Sequence, residues 1–131
     1  MEKFKFFKEY EIKASPKLLY PYISTPQGLQ SWFAEKANIN AEQTYNFVWE
    51  KTDHLAKMVY QKSNKMVRFE FLPNVEADET DPDFIEFKLD TNDITQSVYL
   101  AITDYSKNAN EADLNELWDD LVETLRDTVG G

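Results

Sequence analysis

The chain has 131 residues, 42% of them hydrophobic and 15% aromatic, which suits one domain with a single core and is too apolar for a disordered chain. Asp and Glu number 24 against 14 Lys and Arg, a formal net charge of −10 that repels phosphate backbones, so nucleic acid is not an expected partner. The absence of cysteine excludes disulfides, thiolate metal sites and a cysteine nucleophile.

The opening MEKFKFFKEYEIK scatters charge where a secretory signal needs an apolar stretch, so a cytoplasmic protein is expected. From Phe4 to Lys13 the pattern alternates, with Tyr10 and Ile12 on one side and Glu9, Glu11 and Lys13 on the other, which predicts a half-buried strand. The adjacent Phe6 and Phe7 interrupt the alternation and put Lys8 on the apolar parity, so a bulge or an edge position is expected there.

Ser15 followed by Pro16 reads as an N-cap with proline at the first helical position, and Leu18, Leu19, Tyr22 and Ile23 then share one helical face. Pro21 removes a backbone donor and should bend this helix. Thr25 and Pro26 repeat the start signal ahead of Leu29, Trp32 and Phe33. SPKLLYPYISTPQGLQSWF is therefore two short consecutive helices joined at Ser24 and Thr25.

Alternation returns after Ala34. A short strand is expected around Lys36 to Asn40, followed by runs carrying Tyr45, Phe47 and Trp49; Ala56, Met58 and Tyr60; Val67, Phe69 and Phe71; Ile85, Phe87 and Leu89; and Val98, Leu100 and Ile102. The connections KTD, KSN and TND suit antiparallel hairpins. The longest apolar run, Val98 to Ile102, is five residues where a spanning helix needs roughly 20, so no membrane span is expected. Leu114, Leu117, Trp118, Leu121, Val122 and Leu125 then mark one long amphipathic helix, with a capping signal in Asn110 and Asp113 and a stop at Gly130 and Gly131.

Each apolar face in this order needs a partner, and a curved antiparallel sheet gripping the last helix supplies it, with the short helices closing one end. The expected fold is α+β, a helix-grip occupying residues 1–131 as one domain. The chain resembles the START-like, or SRPBCC, superfamily, in the branch typified by the activator of the heat-shock chaperone ATPase. The likeness is carried by SPKLLYPYISTPQGLQSWF, by FVWE and VRFEF, and by LNELWDDLVETL. The resemblance implies an apolar cavity between sheet and long helix, in a superfamily whose members bind lipids, sterols, polyketides or other hydrophobic molecules, while a few catalyse cyclisation or bind a chaperone.

Catalytic signatures are missing. Three glycines, Gly28, Gly130 and Gly131, leave no phosphate-cradling loop or nucleophile elbow, and the single His54 excludes multi-histidine metal sites. His54 reads as a solvated turn residue. The acidic run Glu76, Asp78, Glu79, Asp81 and Asp83 lacks the glycine and spacing of an EF-hand and reads as a solvated loop rather than a calcium site. No catalytic residue, metal or cofactor is nominated.

The inward-facing set is where a ligand would sit under the resemblance: Trp32, Phe33, Tyr45, Phe47, Trp49, Met58, Tyr60, Val67, Phe69, Phe71, Ile85, Phe87, Leu100, Leu117, Trp118 and Leu121. The same side chains would equally fill an ordinary core, and periodicity does not separate the two. Tyr10, Tyr60, Arg68 and His54 are the polar groups able to fix a ligand's head, although alternation turns Arg68 outward. The expected function is non-enzymatic binding of a small hydrophobic molecule, with the long helix and the short-helix pair as the gate. The alternatives are a chaperone-cofactor-like adaptor with a filled core and a basic protein partner, and a polyketide-cyclase-like enzyme.

Overall fold

A computed structural model describes residues 3–72, 81–107 and 110–130. The element order is β1 (Lys3–Ile12), α1 (Pro16–Ser24), α2 (Pro26–Gln30), β2 (Lys36–Ile39), β3 (Thr44–Trp49), β4 (Thr52–Lys62), β5 (Met66–Phe71), β6 (Phe84–Thr91), β7 (Val98–Lys107) and α3 (Glu111–Val129). All seven strands form one curved antiparallel sheet in the order β1-β7-β6-β5-β4-β3-β2. Strands two to seven pair in sequence, and β1 alone crosses over, to β7. This is the helix-grip expected from the element order.

One face of the sheet is the core. Phe47, Val67, Phe69, Phe87, Leu100 and Ile102, one from each turn of the alternation on β3, β5, β6 and β7, are all fully buried, as are Trp118, Val122 and Leu125 of α3. Burial of this continuous apolar surface is the main source of stability, at about 25 cal/mol per Å² removed from water.

The helix boundaries follow the residues that mark them. Ser15 and Thr25 cap α1 and α2 through side-chain oxygens that accept from the amides of Leu18 and Gly28, with Pro16 and Pro26 next in line. Pro21 lies inside α1, where its missing N–H leaves the exposed Lys17 without a helical donor to its carbonyl. Asn110 accepts from the amide of Asp113 at the start of α3, and Gly130, at φ 80°, ends it in the left-handed conformation.

Of the two expectations for β1, the edge position is the one found: it pairs with β7 without interruption from Lys3↔Lys107 to Ile12↔Val98 and carries no bulge. Phe7 simply points outward, 60% exposed, and Lys8 turns inward to reach α3. Two local readings need correction. The bulge lies in β4 instead: Met58 opposes Phe69 while Tyr60 opposes Arg68, so Val59 is an extra residue. That insertion flips the parity, and Tyr60 joins Arg68 on the outer face, exposed rather than lining the interior.

His54 is the second. It sits within β4 opposite Phe47, because the turn is tighter than expected: Glu50 and Lys51 alone make the corner, at φ 50° and 65°. Of the acidic run, Glu76, Asp78 and Glu79 lie outside the described residues. Asp81 and Asp83 both engage Lys3, whose ammonium is 3.7 Å and 3.0 Å from their carboxylates.

Candidate functional site

The floor of the grip is aromatic. Phe33, delivered by the end of α2, stands edge-on to Phe47 at 5.1 Å, Trp49 at 5.0 Å and Phe87 at 5.6 Å, and stacks on Trp118 of α3 at 5.8 Å. Trp32 packs against Phe87 at 5.4 Å, and Phe69 meets Tyr45 and Phe47 at 5.0 Å and 5.4 Å. These offset and edge-to-face distances are those of direct ring contact. The space between the middle of the sheet and the middle of α3 is therefore filled by Trp32, Phe33, Tyr45, Phe47, Phe69, Phe87 and Trp118, with Val67, Ile85 and Leu100 buried beside them.

The remaining nominated residues differ. Trp49, Met58, Phe71 and Leu121 are only half-buried, packed against the core without being covered by it. Leu117 is 47% exposed and does not line the interior. At 100° per residue the centre of the buried stripe runs through Leu114, Trp118, Val122 and Leu125, which leaves Leu121 on its margin and Leu117 beyond it. Both leucines lie roughly opposite Asn115 and Asp119, the residues that α3 turns toward edge strand β1. The Leu117 and Leu121 flank therefore faces away from β1.

His54 stands beside Trp49 on the β3–β4 hairpin. Its ring is half-buried on the inner face of β4, 5.0 Å from the Trp49 ring, which in turn is 6.5 Å from Phe71. The sequence reading had placed it in a solvated turn rather than within the strand.

The β1 side of α3 is held by polar contacts. Lys8 donates to Asn115 and Asp119 at 2.8 Å and 2.9 Å, Tyr10 donates its hydroxyl to Asp119 at 2.7 Å, and Arg126 donates to the carbonyl of Glu11 at 2.9 Å. The bonds from Lys8, then Tyr10, hold the Asp119 carboxyl below its usual range, and burial with the Asp119 bond pushes the Tyr10 hydroxyl up. A deeper pin was not legible in the sequence. Asp104 on β7 points inward, 6% exposed, and accepts from the indole Nε1 of Trp118 at 2.9 Å. Burial raises its pKa, against the opposing effects of the Trp118 and Ser106 hydrogen bonds. Its parity, two residues on from Ile102, was the available signal.

The short-helix end is closed by bonds from rings to backbone. Trp32 donates to the carbonyl of Tyr22 at 2.7 Å, Tyr45 to that of Ser24 at 2.7 Å and Trp49 to that of Phe33 at 2.8 Å, while Gln30 accepts from the amide of Ala37 at 3.0 Å. These bonds tie α1 and α2 to the sheet and to the aromatic floor. A separate open groove of about 540 Å³ lies at the far end, between Glu11–Pro16 and the β6–β7 connection around Thr91 and Thr95–Val98. None of the nominated residues lines it.

A family model for the START-like superfamily domain matches residues 1–131. The chain belongs to the START-like superfamily. Within it, the chain is similar to the Aha1 dimer of Colwellia psychrerythraea, known from a solution structure, with a TM-score of 0.73 and 22% identity over 96% of both chains. BfR322 of Bacteroides fragilis is 34% identical over 98% of this chain and 92% of its own, with a TM-score of 0.62. DynU16, a putative protein in the dynemicin biosynthetic locus, shares the fold at a TM-score of 0.72 and 12% identity, over 96% of this chain and 47% of its own. No curated protein matches. No helix among the described residues is long and apolar enough to cross a membrane.

Proposed function

We propose that this START-like domain binds a small apolar molecule, without chemistry of its own, between α3 and the inner face of the sheet. The observation that carries the reading is the contrast in burial. Trp49, Met58 and Phe71 are half-buried apolar side chains beside fully buried Phe47 and Phe69, and Leu121 of α3 is likewise half-buried against the core. Apolar side chains left uncovered above a packed floor are what a hydrophobic ligand can complete. Covering about 200 Å² of apolar surface is worth roughly 5 kcal/mol at ~25 cal/mol/Å² before the costs of association, so the ligand is small or weakly held unless a polar anchor adds to it. Membership of a superfamily that binds hydrophobic molecules supports the same reading.

The test uses Nile red, a neutral apolar dye. Wild-type protein should enhance its fluorescence saturably, and Leu121→Trp, which enlarges the helix side of the site, should abolish the enhancement while circular dichroism and the melting temperature stay close to wild type. No enhancement by the wild type refutes the proposal.

A second reading is favoured by one feature. The outward face of α3 carries Asp113, Glu116, Asp120, Glu123 and Asp127, all exposed, while its cation, Arg126, is turned to the carbonyl of Glu11. Together with the filled floor, this suits an adaptor for a basic protein partner. Binding of such a partner should weaken steeply as salt rises from 50 to 500 mM, on the order of the screening expected for exposed charges. Salt-independent binding argues against it.

A further inference from the structure

We infer that β1 is a self-recognition surface: two copies of this chain pair antiparallel through their β1 edges, about a two-fold axis at Phe7. The two edges of the sheet are finished differently. At one edge β2 is four residues long and α2 packs against it, with Gln30 accepting from the amide of Ala37. At the other, β1 runs for ten residues with no proline and no bulge, and among the described residues no backbone group outside β7 bonds Lys5, Phe7 or Glu9. A long edge without such a block is a template for another strand.

Two independent bonds show which groups of β1 are unpaired. The amide of Asn92 donates to the carbonyl of Ser97, so that pair is a hydrogen-bonded one, and by alternation Tyr99, Ala101, Thr103 and Tyr105 bond toward β6. The even positions of β7 therefore serve β1, where they meet Phe4, Phe6, Lys8 and Tyr10. The backbone of Lys5, Phe7, Glu9 and Glu11 is left pointing to the free edge. Arg126 reaches the same conclusion from the other side, since it donates to the carbonyl of Glu11.

The charges along this edge are self-complementary. Lys5, Phe7 and Glu9 are exposed, and neither Lys5 nor Glu9 has an ion-pair partner among the described residues. In an antiparallel pair centred on Phe7, Lys5 stands opposite Glu9 of the second copy, Glu9 opposite Lys5, and the two Phe7 rings meet on the axis. Moving the centre to Phe6 or Lys8 sets a charge against the ring, and moving it to Lys5 or Glu9 sets like charges face to face. In-register parallel pairing also places like against like. One register of one orientation therefore satisfies every outward side chain.

The same centre is marked by the ends of the strand. Lys3 is held by Asp81 and Asp83, and the Glu11 carbonyl by Arg126, at equal distances before and after Phe7. The open run is Lys5–Glu9, whose odd residues exchange both backbone bonds with their opposites across the axis. On the inner face Lys8 stays with Asn115 and Asp119 of its own α3, so pairing strips no charge of its partner. The contact is isologous and small, below the about 1,200 Å² at which stable complexes begin, which makes the dimer weak and reversible.

The experiment is sedimentation equilibrium of the full chain from about 10 μM to about 1 mM, with ¹⁵N amide spectra on the same dilution series. Wild type should show a monomer–dimer equilibrium, and the amides of Lys5, Phe7 and Glu9 should shift on dilution while that of Ala37 does not. Lys5→Glu and Glu9→Lys should each weaken the dimer at least about tenfold, because each sets like charges opposite one another. An equimolar mixture of these two variants should recover it, since one copy then presents carboxylates at both positions to a copy presenting ammonium groups at both. Phe7→Pro, whose lost amide faces the free edge and not β7, should abolish the dimer and keep the circular dichroism of the wild type. A wild type that stays monomeric throughout this range overturns the inference, as does a dimer that all three variants leave intact. Charge variants that are monomeric alone and remain monomeric when mixed overturn the antiparallel pairing about Phe7.

Discussion

Gly28→Ala is the substitution for which helix propensity and packing give opposite signs. Alanine in place of glycine inside a helix is worth about 1 kcal/mol of stabilisation by propensity. A Cβ at Gly28, however, would lie 2.1 Å from the carbonyl oxygen of Pro21 and 2.6 Å from the Cα of Tyr22, both backbone atoms of α1. Neither atom can swing aside as a side chain would, so α1 and α2 must part by about 1 Å. That carbonyl is the acceptor for the amide and hydroxyl of Thr25, and Tyr22 holds the Trp32 indole, so separation also loosens the N-cap of α2 and the seat of the aromatic floor. Overpacking of this kind costs about 1–3 kcal/mol, and the weakened cap adds about 1 kcal/mol, giving a net loss of about 1–3 kcal/mol after the propensity gain. For a chain of this size the melting temperature should fall by about 4–12 °C in a thermal scan. A melting temperature at or above wild type would refute the close crossing of α1 and α2 that positions Trp32 and Phe33.

Asp104→Asn should raise the melting temperature by a few degrees at pH 7, because the amide oxygen still accepts from the Trp118 indole while the buried charge is gone. The sign of the pH dependence follows from the raised pKa of Asp104: the folded state holds the proton more tightly than the unfolded chain, so this residue's contribution is favourable at low pH and is lost as pH rises from about 4 through the folded-state pKa. The variant should lack that component, as difference melts across pH 4–8 will report. Asp119 has the opposite sign: its lowered pKa adds stability above the unfolded value that disappears on acidification, modestly because the group is 45% exposed. Leu125→Ala should cost about 3 kcal/mol in urea unfolding and Leu117→Ala no more than about 0.5 kcal/mol, since one leucine is fully buried and the other 47% exposed.

The fold was legible because its signals are local and redundant. Ser15–Pro16 and Thr25–Pro26 cap the two short helices in the structure as their chemistry requires, and alternation placed Phe47, Phe69, Phe87 and Leu100 on the buried face. What alternation could not carry was the extra residue Val59, since a bulge changes parity without a sequence mark, and Tyr60 was assigned inward on that account. The α3 pattern of six apolar residues was broader than the surface available to bury it, so Leu117 ended outside. Asp104 was missed because a carboxylate inside a β7 run rich in apolar residues reads as a strand end, and its partner Trp118 lies on a different element. His54 was read as solvated because the KTD turn seemed to include it, when two residues at positive φ complete the corner.

The central claim is the proposal that a small apolar molecule binds between α3 and the inner face of the sheet. A ¹⁵N amide NMR titration with a mixed panel of fatty acids, sterols, flavonoids and aromatic polyketides tests it most directly. The account predicts saturable shifts clustered at Trp49, Met58, Phe71 and Leu121, with the α1–α2 segment and the far groove around Thr95 silent. A spectrum unchanged by every member of the panel, or shifts confined to the groove between Glu11–Pro16 and Thr95–Val98, would contradict it.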